Sequence, residues 1–360
     1  MKIQITNRLL SIITALLLFQ TLSYSQDPFQ PQTTAELQTA VDLWISDNAS
    51  AQSTYGEINS WDVSLITDMT SLFQDRTDFN ENLSNWNVSN VVNMTTMFLN
   101  ATNFNGDISS WDVSSVTNME RMFYNASSFN QDLSSWDVSS VSNMSHMFYG
   151  CTSFNGDLSD WDVSNVTEMD HMFDVAQSFN GDISSWDVSN VAVMNGMFWN
   201  AQSFNQDISS WDVSNVENMF KMFLNAQNFD QDISSWDVTN VTNMQEMFDG
   251  TNALSDINKC EIHTSFSSND SWPYDWSGLC TFMPQTREEL QTAINLWVDD
   301  NALALETYGE INTWDVSLIT DMSNIFNGKE TFNDDISSWD VSNVTNMNSM
   351  FEDATNFDSD

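Results

Sequence analysis

Twelve aspartates stand in two series with a spacing of 25 residues. One series is Asp112, Asp137, Asp162, Asp187, Asp212 and Asp237; the other is Asp107, Asp132, Asp157, Asp182, Asp207 and Asp232. Carboxylates stacked at about 4.8 Å repel by roughly 1 kcal/mol per pair even in bulk water. Salt, hydrogen bonds to turn amides or a hard cation such as Ca2+ would each relieve that repulsion. No EF-hand loop is present, and 10 glycines are too few for Ca2+-binding nonapeptide repeats. Direct recognition of a ligand is the remaining chemical use of these columns. His146 and His171 are also 25 apart. Even with Asp170 close by they make an incomplete metal site, and they read as an exposed surface pair. His263 stands alone. Three histidines without a Ser–His–Asp grouping argue against a hydrolase. Carboxylates in near-identical copies also lack the differentiated surroundings of a glycosidase acid pair. Cys260 and Cys280 bracket a short Trp-containing stretch and read as a disulfide, worth about 3 kcal/mol in a loop of this size.

The elements that must position these residues come from a repeat. Trp61, Trp86, Trp111, Trp136, Trp161, Trp186, Trp211 and Trp236 are each 25 apart, and the spacing returns at Trp314 and Trp339. With Trp as position 1, apolar residues recur at 3, 6, 9, 12, 13, 16, 19 and 23. Ile108, Trp111 and Val113 follow the strand spacing of a leucine-rich repeat, whereas Met119, Met122, Phe123 and Ala126 step by three and four, as on a short helix. Thr or Ser at position 7 suits an N-cap, and Asn or Gly at position 15 a left-handed C-cap. Asn-x-Asp at positions 20 to 22 suits a return turn. The expectation is an α/β repeat solenoid, a leucine-rich-repeat-like curved stack with one strand and one short helix per unit. Strands stack at about 4.8 Å and helices at about 8–10 Å, so such a stack curves with its strands on the concave side. The Trp column then packs inward and does not serve as a sugar platform; Cys151, at the position 16 that is Ala in most units, is a small buried side chain.

The ends of a stack need covers. Leu37, Ala40, Val41 and Trp44 form a helical stripe ahead of Trp61, with Thr33 and Glu36 at capping-box spacing. The segment recurs 253 residues later, with Leu290, Ala293, Ile294 and Trp297. Since 253 is not a multiple of 25, a second module begins there. The expected organisation is a signal peptide over 1–25, a helical cap over 26–57 and a first array over 58–255. A C-terminal cap or linker over 256–281 follows, then a second helical cap over 282–310. The start of a second array, which reads as truncated, covers 311–360.

The 360 residues hold 51 Asp plus Glu against 8 Lys plus Arg, a formal charge of −43. Such a balance suggests disorder, but a chain that is 41% hydrophobic with 15 Trp, 24 Phe and 20 Met must bury much of that surface. The acidity also argues against nucleic acid and anionic membranes as partners. Lys2 and Arg8 precede the apolar run from Leu9 to Leu22, and Ser23-Tyr24-Ser25 follows, the pattern of a secretory signal and too short for a membrane span. Cleavage near Ser25 leaves a mature charge of −45.

The run from Trp339 to Met347 recurs with small changes in every unit, and the core M-F-x-N-A-x-x-F-x-x-D-I stands from Met222 to Ile233. These motifs resemble the BspA-like leucine-rich repeat surface proteins, and more narrowly the 25-residue repeat of many bacterial and mycoplasma surface proteins. The resemblance covers residues 58–255 and 311–360. It implies a leucine-rich-repeat-like fold, export, and adhesion or contact with an extracellular protein or glycan, with no catalytic residue to carry over. A structural surface-layer spacer, and the non-catalytic part of a larger secreted hydrolase, are the alternatives.

Overall fold

The computed structural model describes residues 28–358, so the signal-peptide reading of 1–25 lies outside the described residues. The chain forms two compact units. One holds the described residues up to Leu254 together with Asn269–Pro273; the other holds Ser255–Ser268 and the chain from Tyr274 onward.

Each unit carries a pair of helices ahead of its repeats: α1 (Thr34–Ser46) and α2 (Asn48–Tyr55) in the first unit. The Thr33 hydroxyl accepts from the Glu36 amide at 3.2 Å, and the Glu36 carboxylate accepts from the Gln32 amide at 2.6 Å, so α1 begins on a side-chain cap. Leu37, Ala40, Val41 and Trp44 are its buried face, and the Trp44 ring meets Trp61 edge-on at 5.9 Å. Helix α3 (Asp256–Phe266) belongs to the second unit, followed by α4 (Arg287–Asp299) and α5 (Asn301–Tyr308). Leu290, Ala293, Ile294 and Trp297 bury the face of α4 against Trp314 and its neighbours. Cys260 on α3 is disulfide-bonded to Cys280. The far end of the first array is closed by Asn269, whose side-chain amide donates to the carbonyls of Val238 and Val241 at 2.7 and 3.0 Å, and by Trp272, edge-on to Phe248.

Within the repeats the expected strand-plus-helix unit is wrong. The coil beginning at Trp136 has neither element; it is a series of tight turns. Its amides close back three residues at Trp136 to Leu133, Val141 to Val138, Met147 to Met144, Tyr149 to His146, Cys151 to Phe148 and Phe154 to Cys151. Pairing between coils in the strand sense is confined to isolated parallel bridges at position 8, such as Asn143 with Glu168. The stretch expected to be helical instead sends alternate amides to the next coil. Met144, His146, Phe148 and Gly150 donate to the carbonyls of Glu168, Asp170, Met172 and Asp174 at 2.7–3.0 Å.

The physical reason is spacing. Trp111 and Trp136 stack at 6.3 Å, Phe148 and Phe173 at 5.6 Å, and Phe154 and Phe179 at 5.9 Å. A column of helices would need about 8–10 Å per coil, which would pull the Trp and Phe columns apart. Alternation of right- and left-handed backbone lets the same residues hydrogen-bond sideways at the tighter pitch. Position 15 is indeed left-handed (Asn125 φ 57°, Asn200 φ 57°), but it caps no helix, and position 11 is left-handed as well (His146 φ 58°, His171 φ 53°). The strand–helix mismatch that was to curve the stack is therefore absent. What survives is the inward set: Trp136, Val138, Val141, Met144, Met147, Phe148, Cys151, Phe154 and Leu158 are all at most 2% exposed. After the first coil of each array the Trp-column indole N–H is satisfied by a backbone carbonyl 28 residues earlier, as Trp136 to Ile108 at 3.2 Å and Trp161 to Leu133 at 3.0 Å, whereas Trp61 and Trp314 bond the carbonyls of Gly56 and Gly309.

Candidate functional site

The two aspartate series have one local role in common. Asp137 accepts from the Ser139 amide and hydroxyl at 3.1 and 2.6 Å, and Asp107 from Ser109 at 3.0 and 2.7 Å. Asp112, Asp132, Asp157, Asp162, Asp182, Asp187, Asp207, Asp212, Asp232 and Asp237 each accept from the amide two residues on. Such carboxylate-closed turns supply the donors that a row of like charges requires. The Ser164 hydroxyl and then its amide hold Asp162 below its ordinary pKa, and Ser209 does the same for Asp207. Asp182 is lowered first by the Ser184 amide. All but the half-buried Asp107 are exposed. Among the described residues no group of three or more His, Cys, Asp or Glu is placed to hold a metal ion.

A second set of side chains comes together at positions 10, 11 and 14. The row at position 14 runs Leu99, Tyr124, Tyr149, Asp174, Trp199, and it lines a groove of about 370 Å3 with Arg121, His146 and His171 of position 11. Tyr124 and Tyr149 stack at 4.3 Å, and the two imidazoles at 4.9 Å. Lys221 places its ammonium 4.7 Å from the Trp199 ring centre, a cation–π contact. The histidine pair is not an exposed surface pair: His146 and His171 side chains are 19% and 21% exposed. His171 Nδ1 lies 3.0 Å from Asp174 Oδ2 and its Nε2 lies 3.1 Å from the Asn195 amide, so both ring nitrogens have a partner. Gly196 makes room for that ring, because a Cβ there would fall 2.4 Å from Nδ1.

Three of the four buried side-chain polar atoms without a hydrogen bond among the described residues lie here. Asp174 is 2% exposed, and its Oδ1 has no hydrogen-bond partner. Burial raises its pKa, with His171 foremost, then Asn200 and the Val175 amide, working the other way. His146 Nδ1 and Ser145 Oγ are also buried and unpartnered, and Arg76 Nε is the one further such side-chain atom among the described residues. Burial lowers the His146 pKa to about 4, against the opposing charge of Asp170 3.4 Å away and with His171 and Arg121 adding to the fall.

Sequence reasoning picked out His146 and His171 but missed Tyr124, Tyr149, Asp174 and Trp199. The signal was present as the converse of the repeat. Positions 1, 2, 3 and 13 are nearly constant, whereas position 14 runs through Leu, Tyr, Tyr, Asp and Trp in successive coils. Position 11 carries Arg121, His146, His171, Lys221 and Glu246 in left-handed backbone that glycine or asparagine would adopt at less cost. The side chains there are not chosen for the turn.

Coils built on one invariant core, with one varying row, define a repeat protein whose units differ chiefly on that row. The chain belongs to the family described as Mycoplasma protein of unknown function, DUF285, whose model matches residues 45–161, 142–260 and 294–360. No curated protein and no solved structure matches it. Among the described residues no helix is long and apolar enough to cross a membrane.

Proposed function

We propose that this chain is an exported, non-catalytic repeat protein, secreted or held at the cell surface, that contacts an extracellular protein or glycan as an adhesin of the BspA-like kind. The observation that carries the reading is the row at positions 11 and 14. It gathers aromatic, imidazole and basic groups on one edge of an otherwise acidic stack, with Asp174 Oδ1 and His146 Nδ1 in the groove left without a hydrogen bond. The apolar run after Lys2 and Arg8 and the Cys260–Cys280 disulfide support export to an oxidising compartment. Uniform carboxylates already engaged by their own turns support a solubilising role for the two Asp columns, with recognition on the varied row.

The test is binding of the mature chain to surfaces coated with extracellular-matrix proteins and with glycans. Arg121→Ala combined with Tyr149→Ala is compared with Asp162→Asn combined with Asp187→Asn. Loss in the first variant alone, with thermal unfolding unchanged, supports the varied row. Loss in the second alone moves recognition to the Asp columns. No binding by the wild-type chain leaves the spacer reading.

A further inference from the structure

The second helical cap is a near copy of the first, 253 residues on, and two of the places where the copies differ meet in one cleft. Gln52 on α2 is matched by Leu305 on α5, and Gln30 by Met283. Leu305 is 38% exposed, although its counterpart shows that a polar side chain serves the helix there. The second exchange removes a donor. The Gln30 side-chain amide bonds Asp62 Oδ2 at 2.6 Å, and Met283 has no such group to offer Asp315. Leu305, Met283 and Asp315 all line a cleft of about 940 Å3. Helix α3, which has no counterpart ahead of the first array, adds Ile257, 52% exposed. The Cys260–Cys280 disulfide ties α3 to the stretch 278–283 that also lines the cleft. Every lining residue belongs to the second unit. Single exposed leucines need no explanation, but apolar side chains gathered in one disulfide-braced cleft do.

Charge narrows the occupant. Asp256, Glu261 and Asp315 line the cleft, and no Lys or Arg does. Lys259 pairs with Asp256 at 3.2 Å, whereas Glu261 and Asp315 take part in no ion pair among the described residues. A lipid with an anionic headgroup would bring like charge to those carboxylates. A second copy of the chain has few cations to give. Arg76, Arg121, Lys221 and Lys259 already form ion pairs, and Arg287 donates to the Ser323 carbonyl. A segment of another protein, with an apolar face flanked by Lys or Arg, matches both the side chains and the carboxylates. We infer that the cleft between α3 and α5 is a docking site for such a basic, amphipathic segment of a partner protein. This surface is separate from the varied row of the first array, and neither reading depends on the other.

The probe is a labelled synthetic Leu/Lys amphipathic helix about 15 residues long. It is titrated against the mature chain by fluorescence anisotropy at about 0.15 M salt, where exposed charges are screened. An Ala/Lys peptide of equal charge and a Leu/Glu peptide of equal apolar spacing are the comparisons, and both are expected to bind at least tenfold more weakly. Met283→Gln combined with Leu305→Gln installs the residues of the first module, so the fold has a precedent for them. That variant is expected to weaken the Leu/Lys peptide roughly tenfold. Glu261→Gln should weaken it less, and Leu65→Ser, an exposed apolar site in the first unit, should leave it unchanged. Thermal unfolding of each variant separates loss of the cleft from loss of the fold. Equal binding of the Ala/Lys peptide, or Leu/Lys binding indifferent to Met283 and Leu305, overturns the inference and reduces the contact to net charge. Equal binding of the Leu/Glu peptide overturns the basic partner. Self-association in sedimentation that the double variant abolishes also overturns it, in favour of a second copy.

Discussion

The two edges of a coil handle polar groups in opposite ways. Along positions 2, 5, 8, 20 and 22 the same bonds recur in coil after coil. Asp closes its own turn, the Asn165 amide reaches the Ser139 carbonyl at 2.8 Å, and the Asn130 oxygen accepts from the Asn155 amide at 2.9 Å, with the same bonds at Asn190 and Asn180. Along positions 10, 11 and 14 no two coils of the first array carry the same three residues, and three of the buried side-chain atoms without a hydrogen bond collect there, on Ser145, His146 and Asp174. Stability resides in the bonds that repeat. A repeated ladder adds one increment per coil, as in any stacked array. A row that departs from the ladder forfeits some of that increment, and its residues are retained for something other than folding.

The comparison breaks hardest at the core. Phe148→Ala removes a ring stacked on Phe123 and Phe173 at 5.7 and 5.6 Å and should cost about 3–5 kcal/mol in urea unfolding. A cost below about 1 kcal/mol would mean that the columns do not hold the stack. The next effect belongs to the varied row. Burial keeps His146 neutral down to about pH 4, whereas in the unfolded chain it takes its proton near 6.5. The unfolded state therefore binds the proton first, and stability falls as pH drops from about 6.5 toward 4. For this group the fall is on the order of 2–3 kcal/mol. His146→Gln should flatten unfolding free energy against pH across that interval, and an unchanged slope would show that the ring is not held neutral.

How much of this was legible follows from which interactions are periodic. The buried face could be read residue by residue, because Trp136, Val138, Met144 and Phe148 recur with the period of the chain itself. The backbone conformation could not. Steps of three and four at Met144, Met147, Phe148 and Cys151 satisfy a helix and a ribbon of three-residue turns equally well, since both return a side chain to one face. The discriminating facts were the pitch set by ring stacking and the left-handed position 11, where Thr96, Arg121 and His146 give no local warning. The candidate groove was hidden for a different reason: its walls are variations at fixed positions, and a reading built on what repeats discards them.

Val175 offers a smaller and opposite test. A β-branched residue at φ 58° is held in left-handed backbone at a cost of about 1–2 kcal/mol. It also stands in a row where position-15 asparagine side chains donate to the coil before them, Asn100 to Asp75 at 2.8 Å and Asn225 to Asn200 at 3.1 Å. Val175→Asn relieves the strain and offers the Asn200 amide an acceptor in the coil before it. Stability should rise by about 1 kcal/mol, read as a higher urea midpoint at constant slope. Destabilisation would show that the Val175 side chain packs in a way its conformation does not suggest.

The smallest effect belongs to the Asp columns, and it tests whether their charge is needed at all. Asn82 and Asn87 stand where the later coils have Asp, and each closes the same turn, at 2.8 Å to the Ser84 amide and 3.2 Å to the Ser89 amide. An uncharged oxygen is therefore sufficient for the geometry. What Asp adds is a titration: Asp132, Asp162, Asp182 and Asp207 are all held below their ordinary pKa by the serine two residues on. A depressed folded pKa gives stability that is complete above the unfolded value, about 3.9, and is lost as pH falls through the folded one. Changing these four to Asn should leave the urea midpoint at pH 7 level or slightly raised at low salt, where neighbouring charges repel. It should also reduce the loss between pH 4 and pH 2. If the neutral-pH midpoint fell instead, the carboxylates would be contributing more than turn closure, and a role for the columns as a surface that holds cations or a partner would follow.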